Sequence, residues 1–194
     1  MEAIATQIPG LKVVAPSTPE DVKGLLKTAI RDDNPVIFIE HQLLYGERGV
    51  VPRGDYTIPF GQAAIRREGR DVTIIAYSYM AKVAGEAAEL LAQKGVSAEV
   101  IDIRSLIPLD EETIIESIKK TNYGCVLSQA PGTGCFGEHI INVIQAKAFD
   151  YLDAPVELVA AHEVPPPMAP TLEAENMPSG EKVAARVMAM LGRD

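Results

Sequence analysis

Strand-like and helix-like segments alternate along this chain, and that alternation restricts its fold more than any other feature. Residues 11–15 (LKVVA) are short and β-branched, the signature of a strand. Ser17-Thr18-Pro19-Glu20-Asp21 then carries helix-start signals: hydroxyl N-cap candidates, a proline in the first turn, and acids at the positive end of the dipole. Val22, Leu25, Leu26, Ala29 and Ile30 recur at helical spacing and predict one buried apolar face. Asp33-Asn34-Pro35 ends that helix, and Val36-Ile37-Phe38-Ile39 reads as a parallel strand buried on both faces. A second block repeats the pattern. Strands are expected at 72–76, 98–103, 125–127 and 156–160. Helices are expected from the apolar stripes Val83-Ala84-Ala87-Leu90-Leu91, Ile114-Ile115-Ile118, Ile140-Ile141-Ile144-Ala148 and Val183-Ala184-Val187-Met188-Leu191. The expected class is α/β: a mostly parallel sheet with helices on both faces, preceded by a partial β-α-β unit.

Between the two blocks glycine, proline and charge dominate and the apolar periodicity fades. The division read from this is a β-α-β unit over 1–45, a linker over 46–69 and a second alternating block over 70–194. A short hairpin is expected around 58–65, and Arg66-Arg67-Glu68-Gly69-Arg70 reads as a solvated turn.

The 194 residues carry 18 Lys and Arg against 27 Asp and Glu, a net charge of −9. Phosphate binding requires clustered cations, so a nucleic-acid partner is excluded, and acidity opposes docking on anionic membranes. No stretch approaches the roughly 20 apolar residues of a membrane span. The first residues form neither a secretory signal nor a transit peptide. Two cysteines, Cys125 and Cys135, suit a reducing compartment. The expected location is cytoplasmic, or an organellar matrix or stroma if a transit peptide was removed upstream.

Candidate chemistry is sparse. Gly132-Thr133-Gly134-Cys135-Phe136-Gly137 spells G-x-G-x-x-G between a strand and a helix, the pattern that lets backbone approach a pyrophosphate. Ala130-Pro131 spoils the tight turn, and Glu163 lies too far downstream to read a ribose, so close helix–sheet packing is the expected role. His41, His139 and His162 show no metal-ligand spacing. His41 follows a strand at its carboxyl end, where α/β sheets place ligands, and is the one weak catalytic candidate, as a proton-transfer or supporting group; a surface histidine is its simpler reading. Cys135 near a helix start is expected to be a structural or exposed thiol. Asp110-Glu111-Glu112 reads as a cap with dipole partners. Ser78 lacks a nucleophile-elbow motif. By themselves these residues assemble no active site.

The order of segments resembles the β subunit of the E1 component of 2-oxoacid dehydrogenase complexes, most closely in its pyruvate dehydrogenase form. The resemblance rests on residues 8–18 (IPGLKVVAPST), 34–41 (NPVIFIEH), 67–74, 99–110 (through the PLD element), 117–121 (SIKKT) and 151–156 (YLDAPV). Transketolase and deoxyxylulose-phosphate synthase share its weaker parts. It implies a transketolase C-terminal-like domain over 70–194 and, over 1–45, the last β-α-β piece of a pyrimidine-binding domain. It implies an assembly that uses thiamin diphosphate and magnesium to decarboxylate a 2-oxoacid and transfer the acyl group to E2 lipoyl groups. Implied partners are the E1 α subunit, a second β subunit and the E2 subunit-binding domain, which this chain serves through assembly and docking. The family's activating Glu and its His-Ser motif belong upstream of Glu2-Ala3, and diphosphate and magnesium belong to the α subunit. The resemblance therefore assigns no catalytic, cofactor-binding or metal residue here, and the chain alone is expected to be inactive. Ser128-Gln129, Cys135 and His139 depart from the family pattern at one loop. Two other readings are a non-catalytic stand-alone interaction module and a small nucleotide-binding protein using the 132–137 loop.

Overall fold

In the computed structural model, residues 2–193 are described. Helix α1 (Glu2–Thr6) leads to strand β1 (Lys12–Val14), helix α2 (Pro19–Arg31) and strand β2 (Val36–Phe38). Thr18 caps α2, its Oγ1 accepting from Asp21 N at 3.2 Å, and Pro19 opens the helix. The crossover helix makes β1 and β2 parallel, with Val13 opposite Ile37. Then come β3 (Ala64–Arg67), β4 (Val72–Ala76), α3 (Tyr79–Gln93), β5 (Ala98–Asp102), β6 (Ser105–Ile107), α4 (Glu111–Thr121), β7 (Gly124–Pro131), α5 (Phe136–Ala148), β8 (Glu157–Ala161), α6 (Pro170–Asn176) and α7 (Gly180–Met190).

The larger sheet has the order β3-β5-β4-β7-β8. Its strands β5, β4, β7 and β8 are parallel, and β3 is an antiparallel edge. One face packs on α3 and α7 through Ile74, Val100, Leu91 and Val187. The other packs on α4 and α5 through Ile75, Val126, Ile118 and Ile144. Helices cover both faces, as the alternating sequence requires, and every residue of β4 and β5 is buried.

A smaller sheet has the order β2-β1-β6. Strand β6 runs antiparallel to β1, with Ile107 opposite Val13. The N-terminal block and the later block therefore share a sheet. No periodicity marks residues 105–107, three residues long, as a strand; β1 supplies the partner that makes them one.

Four expectations are corrected. Strand β2 is an edge, with Ile37 exposed and its neighbours half-buried, because no strand pairs on its outer side among the described residues. Helix α2 buries Asp21, Gly24 and Leu25 and exposes Leu26 and Ile30, the latter by 76%. Its packing face is rotated off the apolar stripe because the linker lies across it. Thr28 Oγ1 donates to Ile58 O at 2.7 Å, and Tyr56 hydroxyl donates to Glu20 O at 3.0 Å. Accordingly residues 58–63 form no hairpin; only β3 forms, pairing with β5. Finally, Arg66 and Arg67 lie in strand β3 rather than a turn, and the partly exposed Arg66 guanidinium meets buried carboxylates, while Glu68 and Arg70 beyond the strand are exposed. Helices α1 and α6 are short and carry no buried stripe that a sequence pattern could reveal.

Candidate functional site

Strands β1 and β2 deliver Pro16-Ser17-Thr18 and Glu40-His41 to one rim, at the carboxyl ends where α/β sheets place ligands. A cleft opens there in two lobes. The outer lobe, about 340 Å³, is lined by Pro16, Val22, Lys23, His41, Tyr45 and Val51, among others. The inner lobe, about 320 Å³, shares Ser17-Thr18-Pro19, Leu44 and Glu47 with it and is also lined by Arg48, Arg66 and Lys82. Most of the wall is apolar, with charged groups at a few points.

His41 is positioned from both sides. Its Nδ1 accepts from Leu43 N at 3.2 Å, and its ring stacks on Tyr79, centroids 4.9 Å apart and planes 14° off parallel. An accepting Nδ1 places the ring proton of neutral His41 on Nε2. Beside it, the Tyr45 hydroxyl donates to Glu40 at 3.3 Å. The structure thus puts His41 in the cleft.

Under the inner lobe lies a buried charge network that sequence reading missed. Arg66 Nε and Nη2 donate to Asp102 Oδ2 at 3.1 and 2.8 Å, and Nη2 also reaches Asp21. Arg104 Nη1 donates to Asp21 Oδ1 at 3.1 Å, and its other nitrogens donate to Gln62 O and Ala63 O. The Ser17 hydroxyl donates to Asp102. Burial pushes the Asp102 carboxyl up, and Arg66 and Ser17 pull it back. Burial opposes the Arg66 charge, but Asp102 and Asp21 outweigh it and hold the guanidinium more firmly protonated. Two carboxylates facing two guanidiniums keep the network near neutral. Its members come from the β1–α2 turn, α2, β3, β5 and the β5–β6 turn, with Asp21 and Arg104 lying 83 residues apart in the chain, so no local motif could announce it. Arg104 holds φ +52° in that turn, a conformation held by these bonds.

Ser78 sits at a strand-to-helix turn after β4 with φ +52° and ψ −135°, so the strained turn exists without the sequence motif. His41 bonds Leu43 N instead, and Ser78 N donates to Ala15 O at 3.2 Å. No histidine hydrogen-bonds Ser78 among the described residues, so no nucleophile–base pair is assembled.

The 132–137 loop is internally satisfied. Thr133 N donates to Glu163 Oε1 and Gly134 N to Glu138 Oε2, both at 2.8 Å, so carboxylates of the chain take the donors a phosphate would need. A Cβ on Gly137 would lie 2.9 Å from Leu158 Cδ1 and 3.3 Å from Val126 Cγ1, which is the close helix–sheet packing expected. Cys135 is buried at the start of α5, and His139 and His162 are exposed, His139 lying 5.3 Å from the Phe136 ring. Ser128, in β7, is fully buried, and Gln129 beside it is half-buried. Asp110 caps α4, accepting from Thr113 N at 3.1 Å, and also accepts from Ala63 N at 2.8 Å. Glu111 pairs with Lys147. Burial pushes the Cys125 thiol up to about 12, which leaves it inert. Among the described residues no three His, Cys, Asp or Glu side chains group as a metal site, and no helix is long and apolar enough to cross a membrane.

Comparison with known proteins adds to this geometry. Residues 61–183 match the family "Transketolase, C-terminal domain", and residues 1–47 match "Transketolase, pyrimidine binding domain". The chain is 48% identical over 185 residues to the pyruvate dehydrogenase E1 component subunit beta of Rickettsia felis, covering 95% of this chain and 57% of that protein. It is 48% identical over 180 residues to the acetoin:2,6-dichlorophenolindophenol oxidoreductase subunit beta of Cupriavidus necator, covering 93% and 53%. It is 45% identical over 190 residues to the mitochondrial pyruvate dehydrogenase E1 subunit beta of Saccharomyces cerevisiae, covering 95% and 52%. The chain thus spans about half the length of the curated relatives it matches. A solved structure described as "Split gene transketolase, inactive beta4 tetramer" superposes with a TM-score of 0.80 at 25% identity, over 98% of this chain and 60% of that one.

Proposed function

Because the chain belongs to the transketolase family, carrying its C-terminal domain over residues 61–183, we propose that it serves as the C-terminal part of an E1β-like subunit of a 2-oxoacid dehydrogenase complex. In this reading residues 1–45 are a β-α-β piece of a pyrimidine-binding domain and 70–194 the C-terminal domain, joined by a linker over 46–69 whose end, β3, enters the sheet of that domain. The full assembly uses thiamin diphosphate with magnesium to decarboxylate a 2-oxoacid and passes the acyl group to E2 lipoyl groups. Bound in the full assembly, the thiamin group would supply the nucleophilic carbon that the decarboxylation needs. The residues present do not compose its site. The cleft offers one histidine and two carboxylates, Glu40 and Glu47, but no metal cluster among the described residues. In this reading the chain contributes assembly with an E1 α subunit and a second β subunit, and docking of the E2 subunit-binding domain. Its net charge of −9 favours a basic docking partner through complementary steering.

The observation that carries this reading is the 48% identity to E1β subunits over 95% of the chain. The pairing of β6 with β1 supports it, because it fixes the pyrimidine-domain piece on the C-terminal domain as one platform. Relatives from both bacteria and mitochondria fit a cytoplasmic or matrix location alike. The purified chain is expected to bind a relative's E2 subunit-binding domain in a salt-sensitive manner by interferometry, and to show no calorimetric heat with thiamin diphosphate and magnesium. No E2 complex at low salt overturns the docking role; tight cofactor binding overturns the division of labour.

The acetoin oxidoreductase relatives support a second reading, in which the substrate of the assembly is acetoin. Dichlorophenolindophenol reduction by the reconstituted assembly, driven by pyruvate or by acetoin, separates the two.

A further inference from the structure

We propose that the inner lobe of the cleft binds a small organic carboxylate with an apolar body, gripped by Arg66 and Lys82. The lobe is an open groove with an apolar wall that includes Pro19, Leu44 and Ala81, and with the cations Arg48, Arg66 and Lys82 along its lining. Arg66 is held in place by Asp21 and Asp102 through Nε and Nη2, while its Nη1 has no protein acceptor among the described residues. A guanidinium fixed on two sides with donors left over is a preorganised carboxylate anchor, because little side-chain entropy remains to be lost on binding.

The second anchor already shows the chemistry. Lys82 is paired with Glu47, a half-exposed carboxylate on a loop without regular secondary structure. That carboxylate occupies the place the ligand's would take, so the ligand displaces an exposed internal competitor rather than a packed group. With Asp21 and Asp102 balanced by Arg66 and Arg104, the remaining lining charges of this lobe are Arg48, Lys82 and Glu47, a surplus of one positive charge. The volume of about 320 Å³ lies at the lower end of the range of small-molecule sites. A short-chain carboxylate fits this, and inorganic phosphate leaves the apolar wall unused.

The test is a titration of the full chain with sodium hexanoate, followed by amide NMR, with inorganic phosphate as the second arm. Saturable shifts are expected at the amides of Ser17, Thr18, residues 44–48, Arg66 and Lys82, with hexanoate binding at least tenfold tighter than phosphate. Lys82→Gln, on an exposed side chain, is expected to weaken hexanoate about tenfold, the loss of one charge-assisted bond. Glu47→Gln is expected to tighten it by removing the competitor. Absence of saturable shifts, equal binding of phosphate, or affinity unchanged by Lys82→Gln overturns the site. None of these readouts involves thiamin diphosphate or an E2 domain, so the outcome is independent of the docking reading above.

Discussion

The two sheets of this protein are built from similar strands and end in different environments. In the five-stranded sheet, Val72-Thr73-Ile74-Ile75-Ala76 is sealed between two helical layers. In the three-stranded sheet, Val36-Ile37-Phe38 is an edge with every residue at least partly exposed. Both read as apolar, β-branched runs, the form of a strand buried on both faces. The difference lies in the neighbours: β4 has β5 and β7 beside it, whereas among the described residues β2 has β1 alone. Hydrophobicity of a strand states what it would gain from burial, and topology decides whether it is buried.

The junction between these regions offers the largest effect. Asp21→Asn removes a fully buried charge facing Arg66 and Arg104, with an expected cost of about 3–5 kcal/mol. If the network couples the sheets, hydrogen exchange in the variant will release β1 and β2 amides well before those of β4; uniform release would show that the β1–β6 pairing alone holds them together. Next, Ile74→Ala in the sealed sheet is expected to cost about 2–5 kcal/mol in urea unfolding, because the cavity it leaves is enclosed.

A pH effect of intermediate size also belongs to the sealed sheet. The Cys125 thiol, ordinarily near 9, is pushed up to about 12 by burial. Above pH 9 the unfolded chain loses this proton while the folded one keeps it, so this stabilising contribution is full below pH 9 and declines as pH rises toward 12. Each pH unit in that window lowers the folding constant by up to about tenfold. Burial likewise raises the Tyr77 hydroxyl, extending the decline above pH 10. Thermal melts from pH 8 to 11 should show this slope, and Cys125→Ala should flatten it. The smallest effect is expected on the open region: Leu26→Ala, on the outward stripe of α2, should change stability by less than about 0.5 kcal/mol. A loss of several kcal/mol there would mean that the stripe is covered in solution.

Much of the larger sheet was legible because local signals and tertiary demands agree in it. The Ile114, Ile115 and Ile118 stripe is buried, Asp110 caps its helix, and Gly137 packs where a side chain would clash. The helix α2 stripe misled because the linker, not the stripe, chose the packing face. The cleft was half legible. His41 could be placed at a carboxyl end from the strand before it, but Arg66 could not, since its partners Asp21 and Asp102 lie 45 and 36 residues away. A charged run in a glycine-bearing turn has the same composition whether water or buried carboxylates surround it.

The sequence alone determined the alternation of strands and helices, the parallel sheet that short crossovers impose, the helix caps, and the resemblance that leads to the transketolase family. Those follow from local propensity and spacing. Only the tertiary structure decided that β6 joins β1, that β2 is left as an edge, and that Asp21, Arg66, Asp102 and Arg104 meet beneath one cleft. Pairing and charge burial depend on which distant segments come together, and the sequence pattern of each segment is silent about its neighbour.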